Sequence, residues 1–509
     1  MRYNRLENTG RNLVWGSVET LTGIILPFFV RTALIHALSM EYVGLGGLFS
    51  SILQLLSLTE LGIASAITHS LYHPLATDDT DTVCALLAFY RNAYRIIGTI
   101  VLVIGLAFLP FLDHLIKGSY PDDIRLQSVY TIYLINNVLS YFVFADKKTL
   151  LIALQRNDVT NKVTTCIKVV SCCLQIIVLL TVQSYYLYVF LLPLSTLADN
   201  LLCAWRAKKM YPQFVCKGHL PSSQKAAITK KTKGLLLHRL CGSTRNACDS
   251  LFLSTLFGLS TVGIYNNYFY IMNSVRSLLN VITKSMSGGV GNTVAVDNIE
   301  RNHQNLLVLT FLYEWICGFC TVSLLCLYQP FMKLWVGESA LFSMDVVISL
   351  CIYFYVWTLG DIKSQFADAR GIWWKDRYRA GAEALCNLIL NFVMVRFFGV
   401  TGIVLATAVS ILFLGFPWST RILFDDYFGR KHLLHYWLIQ LLYAAATLFA
   451  CLLTYYTCSL VTVDGLFGLI LRGILCCVVP NAFYLICYCR TQIFRQSIPY
   501  VLRLLRKRP

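Results

Sequence analysis

Apolar residues run through this chain in long blocks and do not alternate with polar ones. A window of about 20 residues, the length a helix needs to cross a bilayer, separates the blocks. They lie near residues 12–38, 45–72, 92–116, 126–147, 163–183, 185–205, 235–258, 264–286, 304–328, 345–366, 379–398, 400–421, 433–456 and 465–489. Backbone groups in lipid must be satisfied inside their own segment, and blocks this long suit helices, not the alternating strands of about ten residues that build a barrel. The pattern predicts an all-α, polytopic membrane protein with about 14 transmembrane helices.

Composition agrees. Of 509 residues, 57% are hydrophobic and 14% charged, against roughly 45–50% and 25% in soluble chains. The first block is too long for the core of a signal peptide and carries Glu19 and Arg31, so it is kept as the first membrane helix. The 19 cysteines show no paired loop spacing that suggests a disulfide or a zinc site, and they are taken as small apolar core residues. No metal is expected.

Charge changes the picture by setting orientation. With the N-terminus inside, most of the 43 Lys and Arg residues fall on cytoplasmic segments, whereas the outer loops hold Lys117, Arg125, Lys333 and Arg396. An even number of spans then places both termini in the cytoplasm. The net charge of +17 is therefore mainly a topology signal, and nucleic acid is not an expected partner because the basic residues are dispersed. One inner loop, Arg206 to Arg239, is basic, lacks acidic residues, and holds Pro212, Pro221 and "KKTK" at 230–233. It divides the chain into an N-terminal six-helix bundle (1–205), a basic cytoplasmic linker (206–234), read as a topology anchor at anionic lipid headgroups or as a site of regulatory protein binding, and a C-terminal six-helix bundle (235–424). Two additional helices and a basic cytoplasmic tail occupy 425–509.

The halves repeat. "YVGLGGLFSSILQLLSL" from Tyr42 follows the first helix as "TVGIYNNYFYIMNSVRSLL" from Thr261 follows the seventh, matching Gly44 to Gly263. A repeat displaced by six helices keeps its orientation in the membrane, which makes the two bundles pseudo-symmetric about the bilayer normal with a cleft between them. "GLGGLF" at 44–49 opens a membrane helix with no preceding strand, so its glycines serve close helix packing and not a nucleotide. Pro193 and Pro417 are kink or hinge positions.

Ionisable groups at membrane depth cost about 2.5–3.5 kcal/mol on insertion scales and normally face a partner or a wet cavity. Arg31, Glu60, Arg245, Asp249, Arg276, Glu314, Asp361 and Glu383 lie within predicted spans. Arg245 and Asp249 share a helical face at i and i+4, and Asp249 is expected to orient Arg245 toward the cleft. Guanidinium forks at Arg31, Arg245 and Arg276 suit a phosphate or diphosphate, whose oxygens planar donors pair two at a time. Glu383, Asn387 and Asn391 form a polar stripe at i, i+4 and i+8, read either as cavity lining or as interhelical bonding. The 29 tyrosines and 9 tryptophans suit interfacial belts before sugar stacking.

No G-x-x-x-x-G-K-[ST], H-E-x-x-H or G-x-S-x-G motif is present, no cofactor is implied, and no catalytic residue is assigned. At this point the chain resembles a known family. R-x-x-x-D-x-L-x-x-S-x-x-x-G from Arg245 to Gly258, "TVGIYNNY" at 261–268, "GVGN" at 289–292, residues 366–407 and residues 11–67 are similar to bacterial polysaccharide exporters. More specifically, these stretches resemble the O-antigen and capsule flippases of the multidrug/oligosaccharidyl-lipid/polysaccharide (MOP) exporter superfamily. The last two helices match nothing in it.

The resemblance implies twelve core helices in two bundles that rock around a basic cavity in the cytoplasmic (inner) membrane. It also implies a polyprenyl-diphosphate-linked oligosaccharide as cargo, with the arginines holding the diphosphate and Asp249, Glu19 or Glu60 coupling to an ion. Two alternatives stay open. A drug or small-cation exporter on the same fold needs a cavity dominated by carboxylates, and a membrane-embedded glycosyl-transfer enzyme needs a catalytic group on an outer loop, where Asp113, His114, Asp122 and Asp123 form the candidate cluster.

Overall fold

The computed structural model describes residues 5–57, 63–222, 224–226, 228 and 247–506. Its elements in chain order are α1 Arg5–Ala37, α2 Met40–Leu56, α3 Ile63–Ala76, α4 Thr80–Ala107, α5 Leu126–Phe142, α6 Ala145–Ala153, α7 Asn157–Thr181, α8 Tyr185–Met210 and α9 Ala247–Phe257. They continue as α10 Leu259–Val296, α11 Ile299–Val336, α12 Met344–Thr358, α13 Asp361–Arg370, α14 Trp373–Ser410, α15 Phe416–Leu423, α16 Leu433–Ser459, α17 Gly465–Tyr488 and α18 Gln492–Arg506. Every predicted apolar block is mostly helical where it is described, and the described residues contain no strand. The fold is all-α and multi-pass.

The tally of spans depends on breaks that hydropathy does not register. Among the described residues, nine helices are long and apolar enough to cross a membrane, and α5 with α6 makes a tenth if that pair, bent by 53°, counts as one. α2 and α9 are apolar but short. The block 379–398 and the start of 400–421 are two helical arms of α14: Gly399, at φ 57 and ψ −132, breaks the helix between them, and the chain folds back there so that Asn387 reaches Thr407. The block 345–366 splits into α12 and α13, and α13 ends where Gly371 adopts φ 69, a left-handed C-cap that glycine takes without penalty. Pro417 opens α15 directly after a π-helical stretch, Ile411–Gly415, which absorbs the backbone bond that proline cannot donate.

Two compact units, Met1–Asn266 and Asn267–Pro509, divide the chain, so the packing boundary falls inside α10 and groups α9 with the first unit. In the first unit α1 lies along α7, and α5 packs between α4 and α8. The matched glycines meet there. A Cβ on Gly44 would strike the Leu259 carbonyl of α10, and one on Gly263 would strike the Met40 carbonyl of α2. The backbones of α2 and α10 therefore approach as closely as small-residue interfaces in lipid allow.

In the second unit α11 is the central element, packed by α12, α16, α17 and α18. The described part of the basic tail is α18, which docks an aromatic face on α11: Phe494 stacks on Trp315 at 6.2 Å and meets Phe311 edge-on at 6.4 Å.

Candidate functional site

In the first unit Arg31 sits near the end of α1 and donates from Nη1 to the Asn266 carbonyl at 2.7 Å. Its charge reaches Tyr133 and Tyr188, members of a buried phenol cluster. The Tyr133 and Tyr185 hydroxyls lie 3.3 Å apart, Tyr185 also donates to the Tyr42 carbonyl, and the Tyr42 hydroxyl donates to Asp123 at 2.5 Å. These tyrosines are interior groups, not an interfacial belt. Hydropathy could not distinguish the two, although Tyr185 and Tyr188 at i and i+3 share one face of α8. Asp123, from the outer-loop cluster, fastens a helix end here.

Asp249 on α9 has no exposed surface and accepts from the Tyr265 hydroxyl at 3.4 Å. Its expected partner Arg245 lies outside the described residues, as does Glu60. Glu19 on α1 pairs with Lys168 on α7 at 3.0 Å, each about a third exposed, and so ties those two helices. Where α1, α7 and α8 end, a cavity of about 550 Å³ is lined by Trp15, Arg156, Lys162, Trp205 and Arg206 among others. Lys162 lies over the Trp15 ring at 4.9 Å, and Arg206 over Trp205 at 5.0 Å.

In the second unit Arg276 on α10 is 8% exposed. Its fork faces both oxygens of Asp361, with Nη2 donating to Oδ1 at 2.7 Å. The Tyr313 hydroxyl also donates to Asp361, and the guanidinium lies 4.6 Å over the Trp357 ring. Four elements, α10 to α13, thus build one charged knot. Beside it the buried Lys363 donates to the Phe416 carbonyl at 2.9 Å, to the Thr420 hydroxyl at 2.7 Å and to Ser419. Lys363 and the Asp361 pairing were missed in the sequence because α13 is polar and was averaged into an apolar window.

The polar stripe on α14 is buried throughout. Glu383 accepts from Arg379, whose other nitrogens donate to Asp376 at 2.5 and 2.6 Å. Gly415 leaves room for the Glu383 carboxylate, which a Cβ there would strike. Asn387 donates to Thr407 at 3.0 Å beyond the Gly399 kink, and Asn391 has no exposed surface. At Asn387 the stripe bonds across the kink.

A lipid II flippase, MurJ, in an inward closed conformation matches with a TM-score of 0.65 at 15% identity, over 93% of this chain and 98% of that one. An inward-facing multidrug resistance MATE transporter of the MOP superfamily matches at 0.57 and 14%, over 79% and 94%. A MOP transporter from Pyrococcus furiosus, described as having a binding pocket of reverse polarity, matches at 0.56 and 13%, over 81% and 94%. These likenesses establish the fold. No curated protein matches by sequence. Residues 9–286, more than half of the chain, match the model of the polysaccharide biosynthesis protein family, and the chain belongs to that family.

Proposed function

We propose that the protein flips a polyprenyl-diphosphate-linked oligosaccharide, an O-antigen or capsule repeat unit, across the cytoplasmic membrane by alternating access. The observation that carries this reading is a guanidinium at membrane depth in each compact unit, Arg31 and Arg276, in a chain of a polysaccharide biosynthesis family. A diphosphate cannot cross about 30 Å of hydrocarbon without substitute hydrogen bonds, and forked cations supply them two at a time. Arg31 and Arg276, with Arg245, hold the diphosphate in this reading, while the prenyl tail stays in lipid. A phosphate reaching Arg276 would displace Asp361, and a proton taken up by the released carboxylate would keep that exchange neutral. Asp249, Glu19 and Glu60 remain ion-coupling candidates, both termini are cytoplasmic, and the Trp15–Trp205 cavity contacts anionic headgroups.

The test measures, in cells making the glycan, the lipid-linked oligosaccharide retained on the inner leaflet. Arg31→Ala and the paired replacement Arg276→Met with Asp361→Leu should each raise the retained pool and lower surface glycan at unchanged protein level. Unchanged surface glycan in both variants overturns the proposal. The buried carboxylates Glu314 and Glu383, with the partly buried Asp361, favour the second reading, a drug or small-cation exporter. That reading requires altered resistance to cationic compounds when the chain is deleted.

A further inference from the structure

Cysteines scattered along the sequence are gathered by the fold. Cys326 on α11, Cys458 on α16 and Cys476 on α17 place their Sγ atoms within 4.8 Å of one another, and all three are buried, at 5%, 5% and 1% exposure. They form the heart of a small core that joins the added pair, α16 and α17, to α11. Zinc–thiolate bonds of about 2.3 Å at tetrahedral angles put sulfurs about 3.8 Å apart, so a contraction of no more than about 1 Å would seat an ion between them.

A second observation points the same way. Arg472 precedes Cys476 by one helical turn, on the same face of α17. Its guanidinium donates to the Val461 carbonyl at 2.8 Å, and among the described residues it forms no ion pair with a carboxylate. A half-buried cation in an apolar helix pair calls for a nearby anion. Three thiolates, one divalent ion and this guanidinium together carry no net charge, which suits a low-dielectric site.

We propose that Cys326, Cys458 and Cys476 bind one divalent thiophilic cation of the zinc class, a staple that fastens the two added helices to the core of the second unit. Binding forms three sulfur–metal bonds and releases three thiol protons to solvent. One coordination position remains for a water. The family match ends at residue 286, so this site lies outside it and does not depend on the transport reading.

The experiment uses the full chain, purified in detergent without reductant or chelator. Metal analysis should find one zinc per chain, and Co²⁺ exchanged for it should give the intense near-ultraviolet thiolate-to-cobalt band. Cys326→Ser and Cys476→Ser should abolish the band, whereas Cys451→Ser, a buried neighbour on α16, should keep it. On the unaltered chain, a strong chelator should lower Tm and Zn²⁺ should restore it, a readout that needs no variant to fold. Absence of bound metal with Tm indifferent to chelator overturns the proposal. So does a disulfide between any two of the three, found by mass spectrometry of alkylated peptides.

Discussion

The two compact units solve the same problem, holding helices together in lipid where apolar contact gives no advantage over lipid tails, by different means. The first relies on backbone proximity: Gly44 and Gly263 bring α2 and α10 together, and phenol hydroxyls bond to one another and to carbonyls around Arg31. Its ion pairs leave the cation partly exposed, Arg91 with Asp146 at 31% and 1%, Arg156 with Asp158 at 21% and 2%, and Lys168 with Glu19 near 30% on both sides. The second relies on interior charge, with Arg276 and Asp361 at 9% and 16% side-chain exposure and Lys363 nearby at 3%. Close backbone packing is insensitive to charge but intolerant of volume. A buried fork tolerates volume poorly and charge loss worse, because either partner alone is stranded.

The contrast can be broken most severely at Asp361. Asp361→Ala should cost about 3–5 kcal/mol by stranding Arg276, visible as a large fall in Tm by fluorescence-detected size exclusion. The double variant Arg276→Met with Asp361→Leu should recover most of that stability, and it would still fail in the glycan assay if Arg276 binds cargo. Next is Gly44→Val, which forces a side chain into the Leu259 carbonyl. It should cost about 1–3 kcal/mol, with no dependence on salt. Smallest is Lys168→Ala, expected to cost about 0.2–1 kcal/mol and to fade as salt rises, since that pair is partly hydrated. A salt-sensitive Gly44 variant, or a Lys168 variant as damaging as Asp361→Ala, would erase the distinction between the units.

Much of this was legible in the chain itself. Long apolar blocks announced the helices, and the two glycines matched in the sequence, Gly44 and Gly263, lie against each other between α2 and α10. What hydropathy could not carry was pairing at a distance. Arg276 and Asp361 were both visible as membrane charges, but 85 residues separate them, and no periodicity links positions on different helices. Breaks were hidden for a related reason: a window of 20 residues smooths over Gly360 and Asp361, so α13 merged with α12. The thiol trio was invisible because its members come from three helices, with none of the short loop spacings by which metal ligands announce themselves.

Phe494 lies flat against Trp315, at 25° between the ring planes, and the Trp315 indole N–H donates to Asn481 at 2.8 Å. Indole emission from Trp315 should therefore redden and quench differently once α18 detaches, giving a built-in optical gauge of its docking. A fusion partner or affinity handle placed close behind α18 pulls on that helix, so a spacer belongs between them.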